Sequence, residues 1–290
     1  VSRTAVRTLR ALWGSSHAGP TLVVTALALA LGVSVGLEPW RLAVLTTAVF
    51  CGQLSVGISN DTIDAPRDRA VGRTDKPLAR GEVSTRTSWT AAASTLALAL
   101  ILSAPLGWRM LAAHALTLGC AWAYNAGLKS TAISIVPFLV SFGAFPSLAP
   151  LAAAEPAYAG GWAWIAGAAL GAAVHLTNVL PDLGDDRRTG VRGLPHRWGA
   201  RVSARVAAVA VVGGAVAVLL GPVSGDLTAV TAPSWAFFAA VCVAAAFVLA
   251  AATPVRAAAG APTRAVFRLV MLAALLLAVQ LVVSGGHLAA

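Results

Sequence analysis

Hydrophobic and polar positions are divided unevenly along the chain. Nine stretches of at least 19 residues contain no Asp, Glu, Lys or Arg: 11–37, 42–60, 87–108, 110–128, 130–154, 156–181, 206–225, 227–255 and 269–290. About 20 apolar residues in a helix cross a hydrocarbon core of about 30 Å, so the pattern predicts nine transmembrane helices. Gly and Pro inside these runs do not count against helices, because neighbouring segments in a membrane satisfy the backbone groups they free. The predicted fold class is all-α, with residues 1–290 forming one integral membrane domain.

Composition agrees. The 290 residues are 58% hydrophobic and 11% charged, whereas soluble domains carry roughly a quarter charged residues. A conventional soluble enzyme is thereby excluded. If the N-terminus is cytoplasmic and the sides alternate, 19 of the 21 Lys and Arg residues fall inside, and only Arg41 and Arg109 fall outside. The positive-inside rule asks for that split, and it places the C-terminus outside. The formal net charge of +10 then follows from topology, and no nucleic-acid partner is expected. A cleaved signal peptide is the rival reading of Arg3, Arg7 and Arg10 before an apolar stretch, but its removal would spoil the alternation. Cys51, Cys120 and Cys242 lie singly in different runs, as packing residues. His17, His114, His175, His196 and His287 show no metal-ligand spacing, and stay outside the predicted catalytic set.

The acidic residues cluster. Eight of eleven lie in two cytoplasmic connections: Asp61, Asp64, Asp68, Asp75 and Glu82, then Asp182, Asp185 and Asp186. Carboxylates at the end of a membrane helix are costly unless paired or bound to a cation, which marks them as functional candidates. Asn60, Asp64 and Asp68 are spaced i, i+4, i+8, so a continuing helix would align them on one face; Asn178, Asp182 and Asp186 repeat the spacing. Pro66 and Pro181 are the possible kinks. A slide of 118 residues superimposes Asn60, Asp64, Asp68, Arg69, Gly72, Pro77 and Gly81 on Asn178, Asp182, Asp186, Arg187, Gly190, Pro195 and Gly199, seven matches in 22 positions. The offset spans four predicted helices, so the repeat is parallel and both acidic faces could meet across one cytoplasmic-side cavity.

Such carboxylate and amide oxygens suit Mg²⁺, which keeps sites for water and substrate phosphate. Arg67, Arg73, Lys76, Arg80, Lys129, Arg187, Arg188 and Arg192 surround them. Metal held by acids beside basic residues fits a diphosphate, and an apolar cavity at the membrane boundary points to a prenyl diphosphate. Lys129 is the sole charge of its short connection and follows Tyr124-Asn125.

These residues resemble a known family. Asn60-Asp61-x-x-Asp64-x-x-x-Asp68 with Gly72-Arg73-Thr74-Asp75-Lys76-Pro77-Leu78-x-x-Gly81 is similar to the first signature of the UbiA-type intramembrane prenyltransferases. Asp182-x-x-x-Asp186 with Gly190, Gly193, Leu194 and Pro195 resembles their second aspartate motif, and Tyr124-Asn125-x-x-x-Lys129 resembles the end of their fourth helix. The resemblance implies nine helices around a central cavity open to lipid. It implies two Mg²⁺ held by Asn60, Asp64, Asp68, Asp182 and Asp186, and a diphosphate held by Arg73, Lys76 and Lys129. Asp61 and Asp185 are weaker candidates, being turned about 100° from those neighbours. The catalytic candidates are Asp64, Asp68, Asp182, Asp186 and Lys129; the substrate-binding candidates are Asn60, Arg67, Arg73, Lys76, Arg80, Tyr124, Asn125, Lys129 and Asn178. Trp122 or Tyr124 is the aromatic candidate for cation stabilisation.

The implied activity is Mg²⁺-dependent transfer of a prenyl group to an aromatic or other lipophilic acceptor, in a bacterial plasma membrane with the site facing the cytoplasm and membrane lipid around it. Lys76-Pro77 stands where several subfamilies have Arg-Pro, and no signature identifies the acceptor. A terpene cyclase of the same superfamily, acting without an acceptor, is the alternative. A secondary transporter fits less well, since the repeat is parallel and its acids lie at the membrane edge.

Overall fold

The structure, a computed structural model, describes residues 3–180, 192–251 and 263–289. Among the described residues there are helices and no strands. In chain order they are α1 (Arg3–Ser15), α2 (Ala18–Ser34), α3 (Pro39–Ala70), α4 (Thr85–Ser103), α5 (Trp108–Ala126), α6 (Val136–Ala144), α7 (Leu148–Leu151), α8 (Gly161–Asn178), α9 (Leu194–Leu220), α10 (Ala232–Ala251) and α11 (Thr263–Val283). Each of the nine charge-free runs contains a helix. Four helical segments among the described residues are long and apolar enough to cross a membrane: Pro39–Ala70, Thr85–Leu106, Leu194–Val223 and Ala232–Ala250. The bent pair Thr4–Ser15 and Ala18–Ser34 adds a fifth if taken as one span.

Two runs are shaped differently from the uninterrupted helices their composition suggests. Run 11–37 is broken at Ser16-His17, where α1 and α2 meet at 74° and His17 takes a left-handed backbone (φ 54°). Run 130–154 starts in a short 3-10 turn and breaks again at Phe145–Ser147 between α6 and α7. Pro146 and Pro150 have no N–H for the helical ladder there, which is why regular α-helix does not run through.

Local chemistry places the other boundaries. Pro39 opens α3 at its first turn, where the missing N–H is no loss. Ser84 caps α4 by accepting from the Thr87 amide (3.0 Å). Within the helices, hydroxyls return to carbonyls one turn back, as in Thr62 to Ile58, Ser103 to Ala99 and Thr177 to Ala173. That habit satisfies a polar side chain where no water competes. α3 packs mainly on α4 and α2, and α8 on α9 and α6, around a core of Leu, Ala and Val side chains such as Leu45, Leu176, Ala207 and Leu277. At the end of the bundle where α3 begins, Arg41 donates to the carbonyls of Ala152 and Ala153 (3.0 and 3.4 Å) just past α7.

Candidate functional site

The helix α3 continues through Pro66 to Ala70, so Asn60, Asp64 and Asp68 keep their common face. Lys129, in the 3-10 turn after α5, reaches that face: its Nζ lies 2.5 Å from Asp64 Oδ1 and 3.4 Å from Asn60 Oδ1. Arg67 approaches the other Asp64 oxygen (3.3 Å) and Asp68 Oδ1 (3.8 Å). One carboxylate thus balances two cations, and Asp68 is buried beside it. Removing either cation would leave negative charge in a poorly solvated place, which is expensive.

Asp61 points elsewhere, as its helical phase requires. It is buried, and its Oδ1 accepts from Lys76 Nζ (2.6 Å) and lies 2.9 Å from His17 Nε2. Asn60 Nδ2 is 3.3 Å from the same imidazole nitrogen. Lys76 is therefore held by Asp61, and His17, left out of the sequence-derived set, stands at the site. Its neighbours in sequence hold no metal-binding or catalytic pattern, so nothing in the string of residues marks it. Arg73 and Arg80 are turned into their own loop: Arg73 makes a two-point pair with Asp75 (2.8 and 2.7 Å), and Arg80 binds Glu82 (2.7 Å) and the Thr74 carbonyl. The hydrogen bonds from Arg73 hold the Asp75 carboxyl down at about 2, and Arg80 lowers Glu82 in the same way.

Above this polar end lies a cavity of about 270 Å³. Asn60 from α3, Asn178 from α8, Asn125 from α5 and His17 from the α1–α2 elbow share its lining. Its walls are mostly apolar and aromatic, including Val24, Leu27, Val56, Phe138, Phe142 and Phe145, and it reaches Val49 and His114. Val49 and Asn60 are eleven residues apart on one helix, so the cavity runs about 16 Å along α3. Tyr124 lines it and meets Phe138 and His175 edge-on, at 4.9 and 5.7 Å between ring centroids. Trp122, the other aromatic candidate, instead donates to Ser55 Oγ (3.1 Å) and packs on Trp89. Asn125 donates to the Val56 carbonyl (2.9 Å) and Ser59 Oγ (3.0 Å), locking α5 to α3.

Residues matched by the 118-residue offset share environments where both are described. Asn60 and Asn178 line one cavity, Pro77 and Pro195 are both buried, and Gly81 and Gly199 both have positive φ (74° and 77°). Gly81 closes the turn that Pro77 opens and Gly199 kinks α9 near its start, both in a backbone conformation that residues with a Cβ rarely adopt. Asp182, Asp185, Asp186, Arg187 and Arg188 lie outside the described residues. Among the described residues no three His, Cys, Asp or Glu side chains form a metal-binding group. Asn60, Asp64 and Asp68 nevertheless supply only hard oxygen donors already facing cations, and such a donor set suits Mg²⁺.

The same arrangement of helices occurs in solved structures. A structure of digeranylgeranylglyceryl phosphate synthase is 15% identical, with a TM-score of 0.71, and the match covers 96% of this chain and 99% of that one. An apo UbiA homologue from Aeropyrum pernix K1 is 17% identical with a TM-score of 0.71, covering 91% and 98%. A UbiA homologue from Archaeoglobus fulgidus bound to DMAPP and Mg²⁺ is 14% identical with a TM-score of 0.66, covering 96% and 98%. At these identities the likeness establishes the fold. No curated protein sequence is significantly similar to the chain. The family model of the UbiA prenyltransferases matches residues 21–275, a span that takes in α3, α8, both aspartate motifs and every residue lining the cavity except Ser16, His17 and Pro20. With the motifs, the fold and the family match in agreement, the chain belongs to the UbiA prenyltransferase family.

Proposed function

We propose that the protein is a Mg²⁺-dependent intramembrane prenyltransferase that ionises a prenyl diphosphate and transfers the prenyl group to an aromatic or other lipophilic acceptor. The observation that carries this reading is the convergence of Asn60 and Asn178 on the polar end of one apolar cavity, with Lys129 and Arg67 gathered on Asp64 beside it. Asp182 and Asp186 follow Asn178 at the spacing of Asp64 and Asp68 after Asn60, and complete the proposed ligand set. The Archaeoglobus homologue bound to DMAPP and Mg²⁺ supports the assignment. On this reading the nine apolar runs are nine crossings, the charge bias sets the cationic end in the cytoplasm, and the two motifs are copies of a parallel repeat.

The residues divide the work by polarity. Asn60, Asp64, Asp68, Asp182 and Asp186 would hold the metal. Bound Mg²⁺ would neutralise the diphosphate and stabilise pyrophosphate as it leaves. Lys129 and Arg67 are placed to take phosphate charge, Lys129 as a compact ammonium and Arg67 as a two-point guanidinium. Lys76 can exchange Asp61 for phosphate, and Arg73 and Arg80 lie in the same loop as further phosphate ligands. The prenyl chain lies among Val24, Val56, Phe138 and Phe142, which exclude water from the allylic cation left when the C–O bond breaks. The ring of Tyr124 faces the same space, and an aromatic face stabilises a cation by ~0.5–2 kcal/mol. An electron-rich carbon or oxygen of the acceptor then bonds to the allylic carbon, and the proton it loses passes to the released pyrophosphate.

Purified protein with geranyl, farnesyl or geranylgeranyl diphosphate tests this reading by Mg²⁺-dependent pyrophosphate release and mass spectrometry of the organic extract. Release that waits for an aromatic or lipid acceptor is the expected result. Cyclic hydrocarbons or alcohols formed without acceptor, and absent in Asp64→Ala, would replace transfer with cyclisation. Absence of Mg²⁺-dependent release under every condition would overturn both.

A further inference from the structure

We propose that α1 binds the headgroups of anionic phospholipids, and that its seat on the membrane steadies the Lys76–Leu78 turn. The assignment goes beyond prenyl transfer and does not depend on which reaction the cavity performs. At 100° per residue, α1 divides into three strips. Thr8, Ala11, Leu12 and Ser15 form the protein-facing strip, with Ala11 and Ser15 fully buried. Val6, Leu9 and Trp13 form a second strip of apolar side chains that are 37%, 63% and 42% exposed. Arg7 and Arg10 form the third, and both are exposed.

An apolar strip edged by arginines is the pattern of a helix lying in a membrane interface, with its apolar side in the acyl boundary and its cations at the phosphates. The surroundings of α1 fit. It meets α2 at 74°, α2 carries exposed Leu22, Val23, Leu29 and Val33, and Trp13 packs on Phe50 of α3 with ring centroids 6.4 Å apart, which sets the apolar strip beside the apolar part of the bundle. Arg7 also helps to lower the Glu82 carboxyl of the neighbouring loop, and the occupant complementary to the rest of this exposed positive edge is a negatively charged headgroup. In contrast to a protein groove, the strip is three side chains long and opens beside lipid.

The protein-facing strip ties this helix to the site. Ala11 is buried against Ala65 of α3, Leu78 and Val83, with Leu12 alongside. Gly14, one turn beyond Arg10 on the arginine edge, also meets the loop, since a Cβ there would stand 2.9 Å from Pro77 Cγ, so the C-terminal end of α1 lies directly against the turn that presents Lys76 to Asp61. A helix held at the lipid surface from outside therefore holds that turn from above. Each basic residue near an anionic surface shifts such an equilibrium roughly fivefold, so Arg7 and Arg10 together shift docking by up to about thirtyfold.

Full-length protein in nanodiscs provides the test, by hydrogen–deuterium exchange of peptides within 3–16 and 71–83. Replacing one-third of the phosphatidylcholine with phosphatidylglycerol should slow exchange in both segments. The gain should vanish in Arg7→Gln/Arg10→Gln, persist in Arg7→Lys/Arg10→Lys, and shrink at high salt through screening. Identical exchange in the two lipids, or an undiminished gain in the glutamine variant, would overturn lipid recognition. Protection of α1 with 71–83 unchanged would overturn the coupling. Should the glutamine variant fail to fold, the salt dependence of the wild type decides, and a gain insensitive to salt refutes the proposal.

Discussion

Gly57→Ala is the most informative substitution that touches no charged group. Gly57 is buried in α3 against the α1–α2 elbow, and a Cβ there would stand 2.2 Å from Ser16 O, 2.4 Å from Ser16 C and 2.8 Å from Ser16 Cα. All three atoms are backbone, so no side-chain rotation relieves the clash. Clearance to about 3.0 Å, the lower limit of real Cβ contacts, demands that the Ser16 carbonyl retreat by about 0.8 Å. His17 is the next residue, and the same movement would stretch its 2.9 Å contact with Asp61 to about 3.7 Å, beyond hydrogen-bond range. Overpacking of this kind costs about 1–3 kcal/mol, while alanine in a helix recovers up to about 1 kcal/mol over glycine. With the full helix-propensity gain the net loss is up to about 2 kcal/mol, and reduced prenyl diphosphate turnover is expected with it. Thermal unfolding in detergent and initial rates measure the two effects. Gly119→Ala and Gly213→Ala are the controls, since a Cβ at either meets nothing within 4 Å; neither should lose stability. A Gly57→Ala protein as stable and active as the wild type would refute the argument that this close approach positions the elbow.

Three further outcomes are expected. Lys129→Met removes the ammonium from Asp64 and leaves Arg67 on the other oxygen; hydrogen bonds to charged groups contribute about 1.5–3 kcal/mol, so KM for the prenyl diphosphate should rise roughly 10- to 100-fold, and an unchanged KM would make Lys129 only an orientation charge. Asp64→Asn and Asp182→Ala should each abolish Mg²⁺-dependent turnover with the unfolding transition retained; normal metal-dependent activity in either would remove that residue from the site. The Arg73–Asp75 clamp depends on pH in a defined direction. With the Asp75 value lowered to about 2, its contribution is complete above the ordinary aspartate value near 3.8 and is lost as pH falls through about 2. A carbon-13 carboxylate titration of aspartate-labelled protein should show it, and a midpoint near 4 would refute the clamp.

How much of this was legible beforehand varies by residue. The nine runs were, because lipid offers no partner for backbone or charge, so composition alone marks segments that must be helical. The common face of Asn60, Asp64 and Asp68 was legible from spacing, and the 118-residue offset pairs Asn60 with Asn178, which line one cavity. Charge counts carry no direction, so they could not show that Arg73 and Arg80 pair within their own loop while Lys129 pairs with Asp64. Trp122 and Tyr124 were equivalent in sequence, and the azimuth of α5 separates them, sending one ring to Ser55 and the other to the cavity.

By itself the sequence determined what this protein is made of: apolar helices, two acidic motifs of like spacing and membership of the family that they resemble. These properties are local, since hydrophobic length, charge and motif spacing act over a few turns of one helix. Only the tertiary structure decided which groups meet. His17 and Asp61 are 44 residues apart, and they come together because Gly57 lets the elbow settle on α3 and a left-handed backbone at His17 turns α1 across the end of α2. That contact depends on close packing between helices and on one unusual torsion, and neither leaves a periodic trace in the order of residues.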